Sequence, residues 1–275
     1  MRLEGVGRRH RTGGPWIVRD VALDVPAGAL IRIHGANGSG KSTLLRLIAG
    51  IDTPSTGRIT GRPPTAYVPE RFPPALPFTA AGYLTAMGRV HGLRRGAAER
   101  AGRIWLERLG AGPYADTPLG ELSKGSSQKV AVAQGLLAPP GGLLVLDEAW
   151  TGLDPTSREV LDRTVTERVA EGTAVVFVDH DPHRLAGRPD AVYEVVGGRV
   201  QRSAVPLDER PRVRVEVQGA PGLPLPDGLP GDPQTHGHRL TVAAEHSDAL
   251  LHALLTARPS WHIRSVTPVE KEERP

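Results

Sequence analysis

The chain of 275 residues contains no cysteine. That excludes disulfides, thiolate metal sites and cysteine nucleophiles. Aromatic residues make up 4% of the sequence against 39% hydrophobic residues in all, so a core must rest on Leu, Val, Ala and Ile. No apolar run approaches the roughly 18 residues that a membrane-spanning helix needs. The opening MRLEGVGRRHRTGGP lacks the apolar centre of a secretory leader. The expectation is a cytoplasmic chain, with any membrane spans supplied by another chain. Lysine is scarce too: Lys41, Lys124, Lys129 and Lys271 are four of the 34 basic residues, and the rest are arginine. Net charge is +4. The tightest basic cluster is Arg8-Arg9-His10-Arg11, and elsewhere the cations are scattered. This pattern reads as a solvated face or the surroundings of an anionic ligand, and no nucleic-acid partner is expected.

What is present begins with glycine, 33 residues, and proline, 26. One glycine-rich stretch has an order that chemistry can use. Gly35-Ala36-Asn37-Gly38-Ser39-Gly40-Lys41-Ser42, followed by Thr43, fits the phosphate-loop pattern G-x-x-x-x-G-K-[ST]. Glycines let the backbone curl so that successive N–H groups point inward at phosphate oxygens. A helix starting there adds its positive N-terminal end. Lys41 can reach the terminal phosphates, and the Ser42 hydroxyl can ligate Mg²⁺. The context agrees: Ala29–Ile33 reads as a strand, and Leu44, Leu45, Leu47 and Ile48 read as a helix ending at Gly50. The Asn-Lys-x-Asp grip on guanine is absent, because the four lysines follow Gly, Ser, Gln and Glu. ATP is the favoured nucleotide.

A second station follows about 110 residues later. Leu143-Leu144-Val145-Leu146 has the texture of a buried parallel strand, and Asp147-Glu148 closes it. Such a strand delivers its last residues to the carboxyl edge of the sheet, where ligands bind. One carboxylate there can hold Mg²⁺, and the next can polarise an attacking water. Further on, Asp179-His180-Asp181-Pro182-His183 ends another apolar run. An acid-and-histidine cluster admits a metal reading, but its spacing after the acid pair suits contact with the phosphate better.

In this order the residues resemble the nucleotide-binding domain of ATP-binding-cassette (ABC) transporters, over about residues 1–200. Leu122-Ser123-Lys124-Gly125-Ser126 stands where that family has its Leu-Ser-Gly-Gly-Gln signature. Asp147-Glu148 resembles the Walker B acid pair. Thr151-Gly152-Leu153-Asp154 is similar to the D-loop, and Val175–His180 to the strand that ends in the switch histidine. The resemblance implies a P-loop NTPase of α/β class: a RecA-like core with an antiparallel β subdomain and a helical subdomain, here about residues 72–140. It implies two copies arranged head to tail, with ATP on the glycine loop of one and under Ser123 and Gly125 of the other. Glu148 would be the general base, His180 the γ-phosphate contact, and Asp154 part of the nucleotide site. An integral membrane permease on a separate chain would be the partner, with the ATPase peripheral on the inner face of the membrane. A soluble ABC ATPase acting on nucleic acid or translation, and a small-molecule kinase, are the other classes open to a phosphate loop.

The sequence departs from the family at three places. Tyr67-Val68-Pro69 is followed by Glu70 where the family usually has Gln, and Glu70 remains a candidate Mg²⁺ ligand. Lys124 and Ser126 replace Gly and Gln in the signature. The aromatic that stacks on adenine has no clear counterpart, so His10 and Trp16 are both candidates. After residue 203 the texture changes. Half of the twenty residues from Gln218 to Gly237 are Gly or Pro. Strands around Val213–Val217, Leu240–Ala243 and His262–Thr267, with one helix after Ser247, predict a small α+β appendage at 204–275 beside an ATP-binding domain at 1–203. Such an appendage is similar to extensions on some ABC exporters, which makes export the expected direction.

Overall fold

The computed structural model describes residues 1–11, 13–72, 76–181, 183–203, 212–219, 225–226, 229–230, 233–243, 247–257 and 261–269. The chain divides into two compact units, Met1–Val205 and Pro206–Pro275.

The first unit opens with β1 (Arg2–Arg9) and β2 (Trp16–Asp24), then β3 (Leu30–His34), α1 (Lys41–Ala49), β4 (Thr56–Thr60) and β5 (Thr65–Val68). Three helices follow, α2 (Ala80–Val90), α3 (Arg95–Arg108) and α4 (Lys124–Leu136). The chain then alternates through β6 (Leu143–Asp147), α5 (Pro155–Ala170), β7 (Ala174–Val178), β8 (Ala191–Val196) and β9 (Arg199–Arg202). A three-stranded antiparallel sheet has the order β2-β1-β4. A six-stranded sheet has the order β5-β6-β7-β3-β8-β9, parallel except for the last strand.

Strands β6 and β7 are buried along their whole length. Their near-continuous apolar sequences suit a sheet covered on both faces. Alternation sorts them: Leu144, Leu146, Val175 and Phe177 join one core with Val130, Leu161 and Val165 of the helices. Val145, Val176 and Val178 join another with Leu44, Leu45, Leu47 and Ile48 of α1 and with Leu3, Val6, Val18 and Val21 of the antiparallel sheet. Because β6, β7 and β3 are parallel neighbours, the loops after Asp147, Val178 and His34 emerge side by side on the sheet's carboxyl edge.

Helix α2 runs to Val90 and α3 begins at Arg95, both inside the stretch expected to be helical, about residues 72–140. Small residues let the two helices approach: a Cβ on Gly88 would lie 2.8 Å from Ala98, and one on Gly102 2.9 Å from Leu84. Helix α5 begins at Pro155 with Asp154 capping its first turn, and Gly172, at φ 88°, lies just past its end.

The second unit contains β10 (Arg212–Gln218), β11 (Gln234–His236), β12 (Arg239–Ala243), α6 (Ser247–Thr256) and β13 (His262–Pro268). Its sheet is antiparallel in the order β11-β12-β10-β13. Val215, Val217, Leu240, Val242, Leu250, Leu254 and Trp261 form its core. Strand β11 lies in the Gly- and Pro-rich stretch from Gln218 to Gly237. At three residues it is too short to show alternation, and its pairing to β12 around Gly237, at φ 62°, is what creates it. Among the described residues no helix is long and apolar enough to cross a membrane.

Candidate functional site

The glycine loop leads from β3 into α1, and its glycines are needed where the backbone is tight. Gly35 has φ 148°, and a Cβ there would sit 2.6 Å from the Val195 carbonyl oxygen. Gly40 has φ 105°, and its Cβ would sit 2.9 Å from the Ile17 carbonyl oxygen. No side chain caps α1, so the first-turn N–H groups are left for a ligand. Ser39 Oγ is buried without a hydrogen-bond partner. Lys41 is 9% exposed, and its ammonium is folded back into the loop, donating to the carbonyls of Gly35 at 2.9 Å and Ala36 at 3.0 Å. An anion-shaped cradle, an orphaned hydroxyl and a cation held on its rim fit a polyphosphate. Ala36, Asn37 and Gly38 form the exposed outer arc of the loop. Thr43 faces inward and accepts from Arg46 at 3.2 Å.

Strand β6 carries Asp147 to the same edge. Ser42 Oγ donates to Asp147 Oδ1 at 3.2 Å. The Tyr67 phenol, from neighbouring β5, donates to Oδ2 at 3.0 Å. Burial pushes the Asp147 carboxyl above the usual aspartate range. It also pushes the Tyr67 phenol up, with the Asp147 charge adding to the effect. A hydroxyl and a carboxylate side by side are oxygen donors of the kind that Mg²⁺ takes.

Glu148 follows in a left-handed backbone conformation, φ 53°. The surroundings hold it there: its N–H donates to the Val178 carbonyl at 3.0 Å, and its own carbonyl accepts from Thr151 N–H at 3.0 Å. Its carboxylate meets His180 Nε2 at 2.8 Å. Burial raises the Glu148 carboxyl above the usual glutamate range; the charges of Glu70 and Asp147 add to this, and His180 opposes it. Glu70 therefore acts on both acids electrostatically, but its own carboxylate is exposed and lies 3.7 Å from Arg71 Nε. Among the described residues no three acids or histidines are grouped closely enough to hold a metal ion by themselves. Asp179 and Asp181 instead accept loop N–H groups, Asp181 N–H at 2.7 Å and His183 N–H at 2.9 Å.

The signature residues start α4. Ser123 caps it, its hydroxyl accepting from Ser126 N–H at 3.1 Å and donating to Ser126 Oγ at 3.0 Å. Gly125 lets the D-loop approach, since a Cβ there would be 3.1 Å from the Gly152 carbonyl oxygen. Asp154 is used inside the chain: one oxygen accepts from Ser157 N–H at 2.8 Å and the other pairs with Lys129 at 2.5 Å. The Lys129 bond, with the Ser157 N–H, holds its pKa down to about 2. His10 and Trp16 lie beside each other, and the backbone carbonyl of Ile17, next to Trp16, lies against Gly40 of the loop. They line an open depression of about 530 Å³ with Arg8, Arg9, Ser55 and Thr56. Arg9 lies 3.7 Å from the centre of the Trp16 ring, so one face of that ring is taken.

Sequence reasoning missed several partners. Tyr67 was legible only as part of a motif, and nothing in the pattern tied it to Asp147. Lys129 stood three residues past the signature with no sign of its pairing to Asp154. Trp150, 2% exposed, donates to Asp162 at 2.8 Å, and Arg184 pairs with the same carboxylate at 2.8 Å. A tryptophan two residues after the acid pair, in a chain this poor in aromatics, was the available signal.

The sequence model of the family described as ABC transporter matches residues 18–151. The zinc import ATP-binding protein ZnuC of Cereibacter sphaeroides is 40% identical over 187 residues, 66% of this chain and 74% of that protein. The macrolide export ATP-binding/permease protein MacB 1/2 of Paracoccus denitrificans is 32% identical over 73% of this chain and 32% of its own length. The solved ATP-binding subunit of an ABC transporter superposes with a TM-score of 0.65 at 25% identity, covering 74% of this chain and 89% of that one. The expectation of export finds no support here, because importers and an exporter both match. The fold, the order of motifs and the 40% identity to a relative of which the chain spans 74% lead to one conclusion: the chain belongs to the ABC transporter family, as one of its ATP-binding ATPase subunits.

Proposed function

We propose that the chain holds MgATP between the glycine loop of one copy and Ser123 and Gly125 of a second copy arranged head to tail, and that hydrolysis there drives a separate membrane permease. The observation that carries this is the convergence of Lys41, Ser42, Asp147, Glu148 and His180 at one sheet edge. Gly35 to Gly40 and the uncapped start of α1 bind the phosphates, and Lys41 exchanges the Gly35 and Ala36 carbonyls for phosphate oxygens. Ser42 and Asp147 would hold Mg²⁺, which when bound offsets phosphate charge. Glu70 would reach the same ion directly or through water. Glu148, its carboxyl raised above the usual glutamate range by burial, accepts the proton of the attacking water. His180 leaves Glu148 and turns to the γ-phosphate. Ser123 presents a hydroxyl and the start of α4 to the partner's nucleotide. Asp154, braced by Lys129, positions the D-loop. The base rests in the region of His10 and Trp16.

ATP then joins the two copies, and hydrolysis frees them, so that the energy emerges as motion of an interface. The permease takes up that motion at the helical subdomain, which places the chain on the inner face of the membrane. A closing and opening pair of cassettes has no intrinsic direction, and the permease sets import or export. In this reading residues 1–203 are the motor and 204–275 an appendage that adjusts or stabilises it.

Sedimentation tests the shared site. Glu148→Gln with MgATP is expected to run as a dimer and with MgADP as a monomer, and adding Ser123→Arg to the same chain is expected to abolish the dimer. A monomer with MgATP would sink the reading.

A further inference from the structure

Asp147 has two oxygens and both are occupied. Ser42 takes Oδ1, on the side of the glycine loop, and Tyr67 takes Oδ2. Tyr67 is itself held at its backbone: its carbonyl accepts from Gln134 Nε2 at 2.9 Å. The other end of that amide, Gln134 Oε1, accepts the phenol of Tyr83. Tyr83 belongs to α2, and its ring meets Phe72 edge-on at 5.1 Å and Phe78 at 6.3 Å. Phe72 is two residues from Glu70, and Phe78 is 43% exposed. One amide thus joins three elements: α2 through Tyr83, α4 on which Gln134 sits, and β5 through Tyr67. Gln134 can satisfy both bonds only in one amide orientation, because Tyr83 donates to its oxygen and Tyr67 accepts from its nitrogen.

We propose that Tyr67 and Gln134 are positioning residues for the metal-holding carboxylate: the path Tyr83–Gln134–Tyr67–Asp147 ties the aromatic corner of the helical subdomain to the Mg²⁺ site. The inference rests on the reading of Asp147 as that carboxylate. A carboxylate that holds an ion must present a chosen oxygen at a chosen angle. Tyr67 restrains the far oxygen, so Oδ1 stays beside Ser42. Hydrogen-bonded partners behind a ligand are known to tune metal affinity about 10- to 100-fold. Displacing the Phe72–Phe78–Tyr83 corner pulls on the Gln134 amide, which moves the β5 carbonyl and with it the phenol. The site therefore senses the corner through bonds whose geometry is directional.

The experiment titrates Mg²⁺ into the full chain with a fluorescent ATP analogue and reads the Mg²⁺ concentration at half-saturation. The same binding measured in EDTA is the control for an intact nucleotide site. Tyr67→Phe is expected to raise the Mg²⁺ midpoint about tenfold while binding in EDTA stays within twofold. Gln134→Leu is expected to raise it about threefold to fivefold. Gln134→Glu keeps the acceptor for Tyr83 but loses the donor to Tyr67, and is expected to behave like Gln134→Leu. In the double variant Tyr67→Phe/Gln134→Leu the Gln134 effect is expected to vanish, because the phenol through which it acts is gone. Additive shifts would overturn the path, and so would a Tyr67→Phe midpoint equal to wild type. Asp147→Asn separates the two readings. If it leaves the midpoint unchanged, the assignment of Asp147 fails; if it raises the midpoint while the Tyr67 and Gln134 variants do not, only the path fails.

Discussion

The two units of the chain are built by the same rules and read very differently. In the first, the parallel sheet gathers chemically distinct side chains at one edge: a lysine, a serine, two acids and a histidine. In the second, a four-stranded antiparallel sheet covers its core with one helix. Its exposed strand positions carry ordinary cross-strand pairs such as Arg239 with Glu216 at 2.8 Å. The difference teaches where function becomes legible. Binding a polyphosphate requires particular residue types at particular places, and packing a small core requires only apolar residues of suitable size.

The sharpest break between the units is expected from Glu148→Gln. It should lower ATPase turnover at least about 100-fold while leaving MgATP affinity within about twofold; a coupled phosphate-release assay and a nucleotide titration check this. Next in size, Lys41→Arg should weaken nucleotide binding about tenfold, or about 1.4 kcal/mol. The guanidinium is a wide fork, and the Gly35 and Ala36 carbonyls hold a point charge. Unchanged affinity would mean that the buried ammonium is not the phosphate contact.

Trp261→Ala attacks the other unit. Trp261 is 3% exposed in its core, and truncation should cost about 3–4 kcal/mol of that unit's stability. ATPase should stay within about twofold of wild type. Loss of ATPase in step with melting of the small unit would erase the division of labour drawn above. A gentler test is the pH profile. In the proposed reaction Glu148 must be deprotonated to accept a proton, and its carboxyl is raised. Turnover should fall, as pH is lowered, at a pH above the ordinary glutamate range. Glu70→Gln removes one of the raising charges and should move that midpoint down; a midpoint that moves up would contradict it. The smallest effect belongs to the rim: Arg103 and Asp116 pair at 3.0 Å but are 47% and 79% exposed. Arg103→Ala should change thermal stability by less than about 0.5 kcal/mol.

Much of the first unit was legible because each motif carries its own geometry. Gly35 and Gly40 announced close backbone approach, and the structure places carbonyls where their side chains would be. The apolar runs of β6 and β7 announced a covered parallel sheet. The companions of the site were not legible, because contact between Tyr67 and Asp147 or between Lys129 and Asp154 depends on which strands and helices become neighbours. Sequence spacing carries no such information for residues 80 and 25 positions apart. Strand β11 escaped for a different reason: three residues on an edge owe their conformation to the partner strand.

The resting place of Lys41 has a consequence for selectivity. Its ammonium is already satisfied by two backbone oxygens, so the loop carries no uncompensated buried cation. A newcomer must outcompete those two carbonyls for one charge. A lone monovalent anion offers little advantage in that exchange, whereas a chain of phosphates engages the loop amides, the start of α1 and the lysine at once. In the proposed reading the loop is a threshold that favours a ligand with several negative oxygens in series.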